Sequence, residues 1–312
     1  MHRTKTFGST HLIWEQKSKL DDVRERVSSL LRLRVAPTNQ STGPIEVLRS
    51  ISKSIIDNGG LDFKGGEKNW VVSGNLENIS RQLSKKDFEV PTLLGPNIEF
   101  EKYSKLLAQF KRCYLLVPAA WVTPILEARL NIPKEKIKIW AAGIDTEHWK
   151  PRNGIANKVL IYRKHDMSQE IDVVTDYLNS AGIRYIILNY GSYSQNRFRK
   201  LLSESVAAIW LCGTESQGIA MMQAWSMGVP TLVRRRSHFK DEVTGGDFDA
   251  SSAPYLTELT GSFSVTDRLT ANDVKNFLNG LEKYEPRRYV VENFTLAGQL
   301  VEARNLFHEL SS

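Results

Sequence analysis

From residue 158 onward the chain alternates short apolar runs with amphipathic stretches, and few folds accept that pattern. KVLIYRK (158–164), IRYIILNYG (183–191), VAAIWLCG (206–213) and VPTLV (229–233) read as strands. Between them lie EIDVVTDYLNSAG, QNRFRKLLSES and SQGIAMMQAWSMG, which read as helices. Runs this uniformly apolar suit strands buried on both faces, as in a parallel sheet covered by helices. Strand and helix in strict succession predict a doubly wound α/β unit. Two further helices are expected in TANDVKNFLNGLEKY and TLAGQLVEARNLFHEL.

The first half repeats the logic less regularly. A helix is expected over 17–32, with Leu20, Val23, Val27, Leu30 and Leu31 on its apolar face. Packing on the domain is the reading for it, with membrane-surface binding as the alternative. A strand around 32–36 ends at Pro37, and Pro44 suits the first position of a helix stopped by Asn58-Gly59-Gly60. NWVVSGN, VPTLLGP, CYLLVPA and KIKIWAA read as strands, with helices at EKYSKLLAQFKR and TPILEARLN. At about 150 residues per domain, 312 residues suggest two. The expected division is an N-terminal Rossmann-like domain over 1–152, a second over 153–290, and a C-terminal helix over 291–312 that packs back toward the first. Loop composition from Pro151 to Asn157 marks the expected linker.

Charge and cysteine content narrow the function classes. Residues 1–150 hold 24 basic and 17 acidic residues, so they carry the whole net charge of +7. A basic half favours an anionic partner: a phosphorylated acceptor, an acidic membrane surface or a nucleic acid. The alternative is a solvated lysine-rich surface. No recognition-helix, zinc or aromatic RNA-binding signature supports nucleic acid. No apolar run approaches the roughly 18 residues of a membrane span, and the first ten residues do not read as a secretory signal. Cys113 and Cys212 cannot build a disulfide framework and read as small buried hydrophobes in a reducing cytosol. No His/Cys/Asp/Glu group has metal-ligand spacing, and neither a Gly-x-Ser-x-Gly nor a Walker sequence is present.

The chemistry concentrates in CGTESQGIAMMQAWSMGVPTLV, 212–233. A strand ending at Cys212 puts Gly213 to Gly218 at the carboxyl edge of the sheet, where ligands of open α/β sheets bind. A helix starting near Gln217 or Gly218, with Ser216 as a candidate N-cap, offers free N–H groups to a diphosphate. Glu215, Ile219 and Gln223 fall at i, i+4 and i+8, and would share one side if the helix reached back to Glu215. Carboxylate and amide suit sugar and ribose hydroxyls. An ordinary sheet-covering helix, with Ile219, Met222 and Trp225 in the core, is the competing reading.

This segment resembles the donor-binding region of the retaining GT-B glycosyltransferases of the family-four type. Their pattern is Glu, seven residues, Glu, then small-Gly-x-Pro and a strand; here it reads ESQGIAMMQ and SMGVPTLV, with Gln223 in place of the second acid. IKIWAAGIDTEHWKP and RVAPTNQSTGPIEVLRS resemble further segments of that family, and KVLIYRKHD lies where it carries the Arg and Lys that hold the diphosphate. The resemblance implies two facing Rossmann-like domains and transfer of a sugar from a nucleotide-sugar, with retention and without a metal or cofactor. It implies Glu215, Arg163 and Lys164 as catalytic residues. Gly43, Tyr190, Ser216, Gln217, Gly218, Ile219 and Gln223 would bind the donor, with Tyr193 the alternative to Tyr190 at the nucleobase. Gly95 and Asn97 would lie on the acceptor side. The implied acceptor is a glycan or lipid-linked molecule, anionic if the basic half receives it, at the cytoplasmic face of a membrane. His165 and the run Arg234, Arg235, Arg236 are further candidate anion contacts. A protein that binds nucleotide-sugar without turnover is the second reading, marked by Gln223, and a nucleic-acid-modifying or -binding protein the third.

Overall fold

The computed structural model describes residues 2–7, 10–15, 46–47, 50–51, 53–54, 68–75, 91–99, 112–152, 154–164 and 168–311. The expected helix over 17–32, the strand around 32–36, Gly43, Pro44, His165 and nearly all of EKYSKLLAQFKR lie outside them. The chain divides into two compact units. One comprises residues 1–39, 44–143 and 296–312, the other 40–43 and 144–295.

In the first unit, β1 (His2–Phe7), β2 (Thr10–Glu15), β3 (Lys68–Asn75), β4 (Thr92–Glu99), β5 (Cys113–Val117) and β6 (Ile137–Ile139) form one sheet in that order. β1 and β2 pair antiparallel; every later pairing is parallel. Two helices of this unit are α1 (Thr123–Leu130) and, far along the chain, α7 (Leu296–Ser311). Trp70 of β3 is fully buried. Its ring meets Trp140 edge-on at 5.0 Å and Phe307 of α7 at 6.1 Å. Trp140 Nε1 donates to the Gln299 carbonyl at 2.9 Å, so both indole rings sit in apolar surroundings while their N–H groups are satisfied. Cys113 is buried in β5, and burial pushes its thiol up to about 12, as suits a packing residue.

Gly95 has a packing role here. Its φ is +129°, and a Cβ would run into the Leu116 carbonyl of β5. Its own carbonyl accepts from Trp70 Nε1 at 3.0 Å. Gly95→Ala is therefore expected to cost about 2–3 kcal/mol, read as a lowered thermal midpoint of this unit.

In the second unit, β7 (Lys158–Arg163), α2 (Ser168–Ser180), β8 (Tyr185–Asn189), α3 (Gln195–Ser203), β9 (Ser205–Leu211), α4 (Ile219–Ser226) and β10 (Thr231–Val233) follow the expected alternation. A small antiparallel pair, β11 (His238–Lys240) and β12 (Asp247–Asp249), comes next. β13 (Gly261–Phe263), α5 (Ala271–Leu278) and α6 (Pro286–Asn293) complete the unit. The five-stranded sheet runs β13-β10-β9-β7-β8 and is parallel throughout. Taken from β8 in sheet order this is 2-1-3-4-5, so the winding reverses between β7 and β9.

Each central strand is buried on both faces. Val159, Ile161, Ala207, Ile209 and Leu211 pack with Val174, Leu178, Val274 and Phe277. On the opposite face Tyr162 stacks on Trp210 at 4.2 Å and approaches Phe198 of α3. The expected single helix over 270–284 is shorter: α5 stops at Leu278 and Asn279-Gly280 breaks it before a 3-10 turn at Leu281–Lys283. Its start is fixed by a capping box between Thr270 and Asp273. α6 is an addition to the expected elements, entered through Pro286 at its first turn. The two ends of this unit's long segment meet: Ile144 bridges Thr295, and Ile144 N donates to the Phe294 carbonyl at 2.7 Å. Both units are thus α/β with largely parallel sheets, the class expected; the second sheet is doubly wound, while the strands of the first follow chain order without a reversal.

Candidate active site

The carboxyl ends of β7 and β9 flank the point where the winding of the second sheet reverses, which is where open α/β sheets bind ligands. Alternation along β7 decides which side chains arrive there. Val159 and Ile161 face one layer of core, Leu160 and Tyr162 the other, so Arg163 and Lys164 diverge. Arg163 Nε donates to Asn189 Oδ1 at the end of β8, at 2.8 Å. Lys164 takes the other side. Its backbone N–H continues the ladder to the Leu211 carbonyl of β9 at 2.8 Å. Its Nζ donates to Glu215 Oε1 at 2.8 Å.

Lys164 and Glu215 form a largely buried ion pair, with side chains 21% and 13% exposed. Burial disfavours the ammonium, but the Glu215 carboxylate and its hydrogen bond more than offset this, and the lysine pKa lies above its usual value. The Tyr190 ring lies 4.9 Å from the same Nζ and adds a cation–π contact. Tyr190 is 43% exposed. Tyr193 is buried, and its hydroxyl shares a 2.8 Å hydrogen bond with that of Tyr162.

After β9 the backbone makes the turn Gly213–Gly218 before α4. Glu215 is held by its own N–H, which donates to the Ser251 carbonyl at 2.8 Å. Two expectations for this turn are corrected. The N-cap of α4 is Gly218, not Ser216; Gly218 is left-handed, with φ 77° and ψ 46°, and gives no side-chain cap. The helix starts at Ile219, so Glu215 lies in the turn and does not share a helix face with Ile219 and Gln223. The glycine requirement at Gly218 is conformational: a Cβ there would meet only Met221 Cβ, at an ordinary 3.8 Å. The first helical bond runs from Met222 N to the Gly218 carbonyl at 3.0 Å. By helix geometry the amides of Ile219, Ala220 and Met221 precede it and have no partner within the helix.

The other candidates are placed as follows. Ser216 is exposed on the turn. Gln217 is buried, with Nε2 donating to Met222 Sδ at 3.6 Å. Ile219 and Gln223 are buried in α4. Asn97 lies in β4 of the other unit, as does Gly95. The basic run after β10 is split three ways: Arg234 is buried against Glu170, Arg235 donates to the Ser264 carbonyl and lies over Phe263, and Arg236 is exposed. Sequence reading missed Asn189 and Glu170, which position Arg163 and Arg234. A strand-end asparagine is a weak signal, and the Arg234–Glu170 pairing spans 64 residues with no sequence signature. Among the described residues no group of three or more His, Cys, Asp or Glu side chains is placed to hold a metal ion. Among them no helix is long and apolar enough to cross a membrane.

No family model matches this sequence, and no curated protein sequence matches it. Solved structures do match its fold. A glycosyltransferase from Rickettsia africae ESF-5 superposes with a TM-score of 0.56 at 14% identity, over 89% of this chain and 85% of its own. The sucrose-phosphate synthase of Thermosynechococcus elongatus gives 0.54 at 12% identity, over 94% and 87%. TarM of S. aureus gives 0.53 at 10% identity; there this chain is covered to 89% but spans only 59% of TarM. At these identities the likeness is one of fold, and the fold is that of the GT-B glycosyltransferases.

Proposed function

We propose that the chain is a glycosyltransferase of hexosyl type that takes its sugar from a nucleotide-sugar bound at the carboxyl edge of the second unit. The observation that carries this reading is the Lys164–Glu215 pair at the reversal between β7 and β9, beside the left-handed turn that opens α4. A cation and a helix N-terminus side by side suit a diphosphate. A carboxylate one ion pair away suits the sugar hydroxyls. In this reading Lys164 and the α4 amides stabilise the charge that grows on the diphosphate as it leaves. Glu215 orients Lys164 and accepts hydrogen bonds from the donor sugar. Tyr190 stacks on the nucleobase, Arg163 lies at the rim, and Ser216, Gln217, Gly218, Ile219 and Gln223 shape the donor site.

Retention of configuration, independence from metals and cofactors, and membership of the family-four type belong to the same proposal. So do Gly43 as a donor contact and Gly95 and Asn97 on the acceptor side. A glycan or lipid-linked acceptor with negative charge fits the basic half, at the cytoplasmic face of a membrane.

A thermal-shift series with nucleoside diphosphates and nucleotide-sugars tests the reading. A ligand at a hundred times its Kd should add about 2.7 kcal/mol of stability. A nucleotide-sugar that binds should then be consumed, and the anomeric configuration of the product read by NMR. Absence of any shift across uridine, guanosine, adenosine, cytidine and thymidine derivatives would sink the proposal.

A further inference from the structure

A diphosphate carries more than one negative charge, while Lys164 is already shared with Glu215 and Arg163 is turned to Asn189. The first turn of α2 reads Ser-Gln-Glu-Ile and has no cation of its own. One reaches it from another strand. Arg234 directly follows β10, and its backbone is pinned on both sides. Its N–H donates to the Trp210 carbonyl at 3.0 Å, and its carbonyl accepts from Ser252 Oγ at 2.6 Å. Its side chain is 9% exposed and runs to α2, where Nε donates to Glu170 Oε1 at 2.8 Å.

The guanidinium is not used up by that contact. Nη1, bonded to the same carbon as Nε, is buried and has no hydrogen-bond partner among the described residues. An arginine stays charged when buried, and a buried charged N–H without an acceptor costs more than an ordinary hydrogen bond returns. The charges of Glu215, Lys164 and Arg234 all bear on the Cys212 thiol, so the three gather around the end of β9.

We propose that Arg234 is the second cation of the donor site, with Nη1 donating to an oxyanion of the diphosphate near the first turn of α2. Glu170 aims the guanidinium and shares its charge until the ligand arrives. The inference rests on the donor-site reading above, and its test separates the two. The purified full chain is titrated calorimetrically with inorganic pyrophosphate and with uridine, guanosine and adenosine diphosphates. Arg234→Met should weaken binding at least tenfold, while Glu170→Gln, which removes a competing carboxylate, should tighten it. If Arg234→Met unfolds because it strands Glu170, the paired variant Arg234→Met/Glu170→Gln replaces it and should show the same loss. Wild-type affinity in the arginine variants, with both single variants merely melting earlier, overturns the inference and leaves the transferase reading standing. Arg234-dependent binding of pyrophosphate without binding of any nucleotide supports the inference and removes the transferase reading. No binding of either to the wild type overturns both.

Discussion

Glu215→Ala is expected to slow sugar transfer by at least a hundredfold, while thermal stability falls by only about 1–2 kcal/mol. The two effects separate because Glu215 does two things. It holds Lys164 in place, and under the proposed reading it presents its carboxylate to the donor. Glu215→Gln keeps a hydrogen-bond acceptor for Lys164 and should recover stability more fully than rate. Lys164→Met should lower the rate by a similar factor, and the two single losses should not add in the double variant, because they break one pair. The pH dependence of stability follows from the raised lysine pKa. A group whose pKa is higher in the folded chain contributes its full stability below the unfolded value, about 10.4 for lysine. That contribution is lost as pH rises through the folded value. The gap in melting temperature between wild type and Glu215→Ala should therefore hold between pH 7 and 9 and close in the alkaline range above it. A Glu215→Ala chain with wild-type kcat and KM would assign the pair to structure alone.

Gly218→Val is expected to abolish measurable donor binding. Gly218 has φ 77°, and a β-branched residue there is strained although space for its Cβ exists. Relief of that strain would reshape the turn, displace Glu215 and re-aim the first amides of α4. Asparagine tolerates the left-handed region better than other side chains, so Gly218→Asn should recover much of the affinity that Gly218→Val loses. Binding isotherms for the two variants decide the point. Equal, wild-type affinity in both would move the anion away from this turn.

The second unit was largely legible because each of its central strands is apolar on both faces and bounded by polar or glycine residues. β7 and β8 lie within the segments expected of them, and β9 begins one residue earlier, at Ser205. The short strands were not. His238–Lys240 and Asp247–Asp249 alternate over three residues only, too few to show a period. β1 and β2 went unread although Phe7 pairs with Thr10 and the dipeptide between them in sequence is Gly-Ser, a hairpin signal. The candidate site was legible by address more than by contact. Strand ends and the Ser-Gln-Gly turn could be located from the residues, and so could the divergence of Arg163 and Lys164. That Lys164 meets Glu215, 51 residues away, and that Arg234 crosses to Glu170, 64 residues away, depends on the order of the strands in the sheet. The spacing of Glu215 and Gln223 misled in one respect: it fits a helical face, but the helix begins after the glycine.

The pairing of Ile144 with Thr295 means that one unit is threaded into the chain of the other. α7 is synthesised only after the whole of residues 144–295. Yet Leu300, Ala303 and Phe307 are buried, Phe307 packs on Trp70, and Gln299 receives the Trp140 N–H. During translation, then, the part made first has to wait for its last wall, while the inserted part can close as soon as its own residues have emerged. All residues of the inserted part are therefore made before the part begun first has its full set.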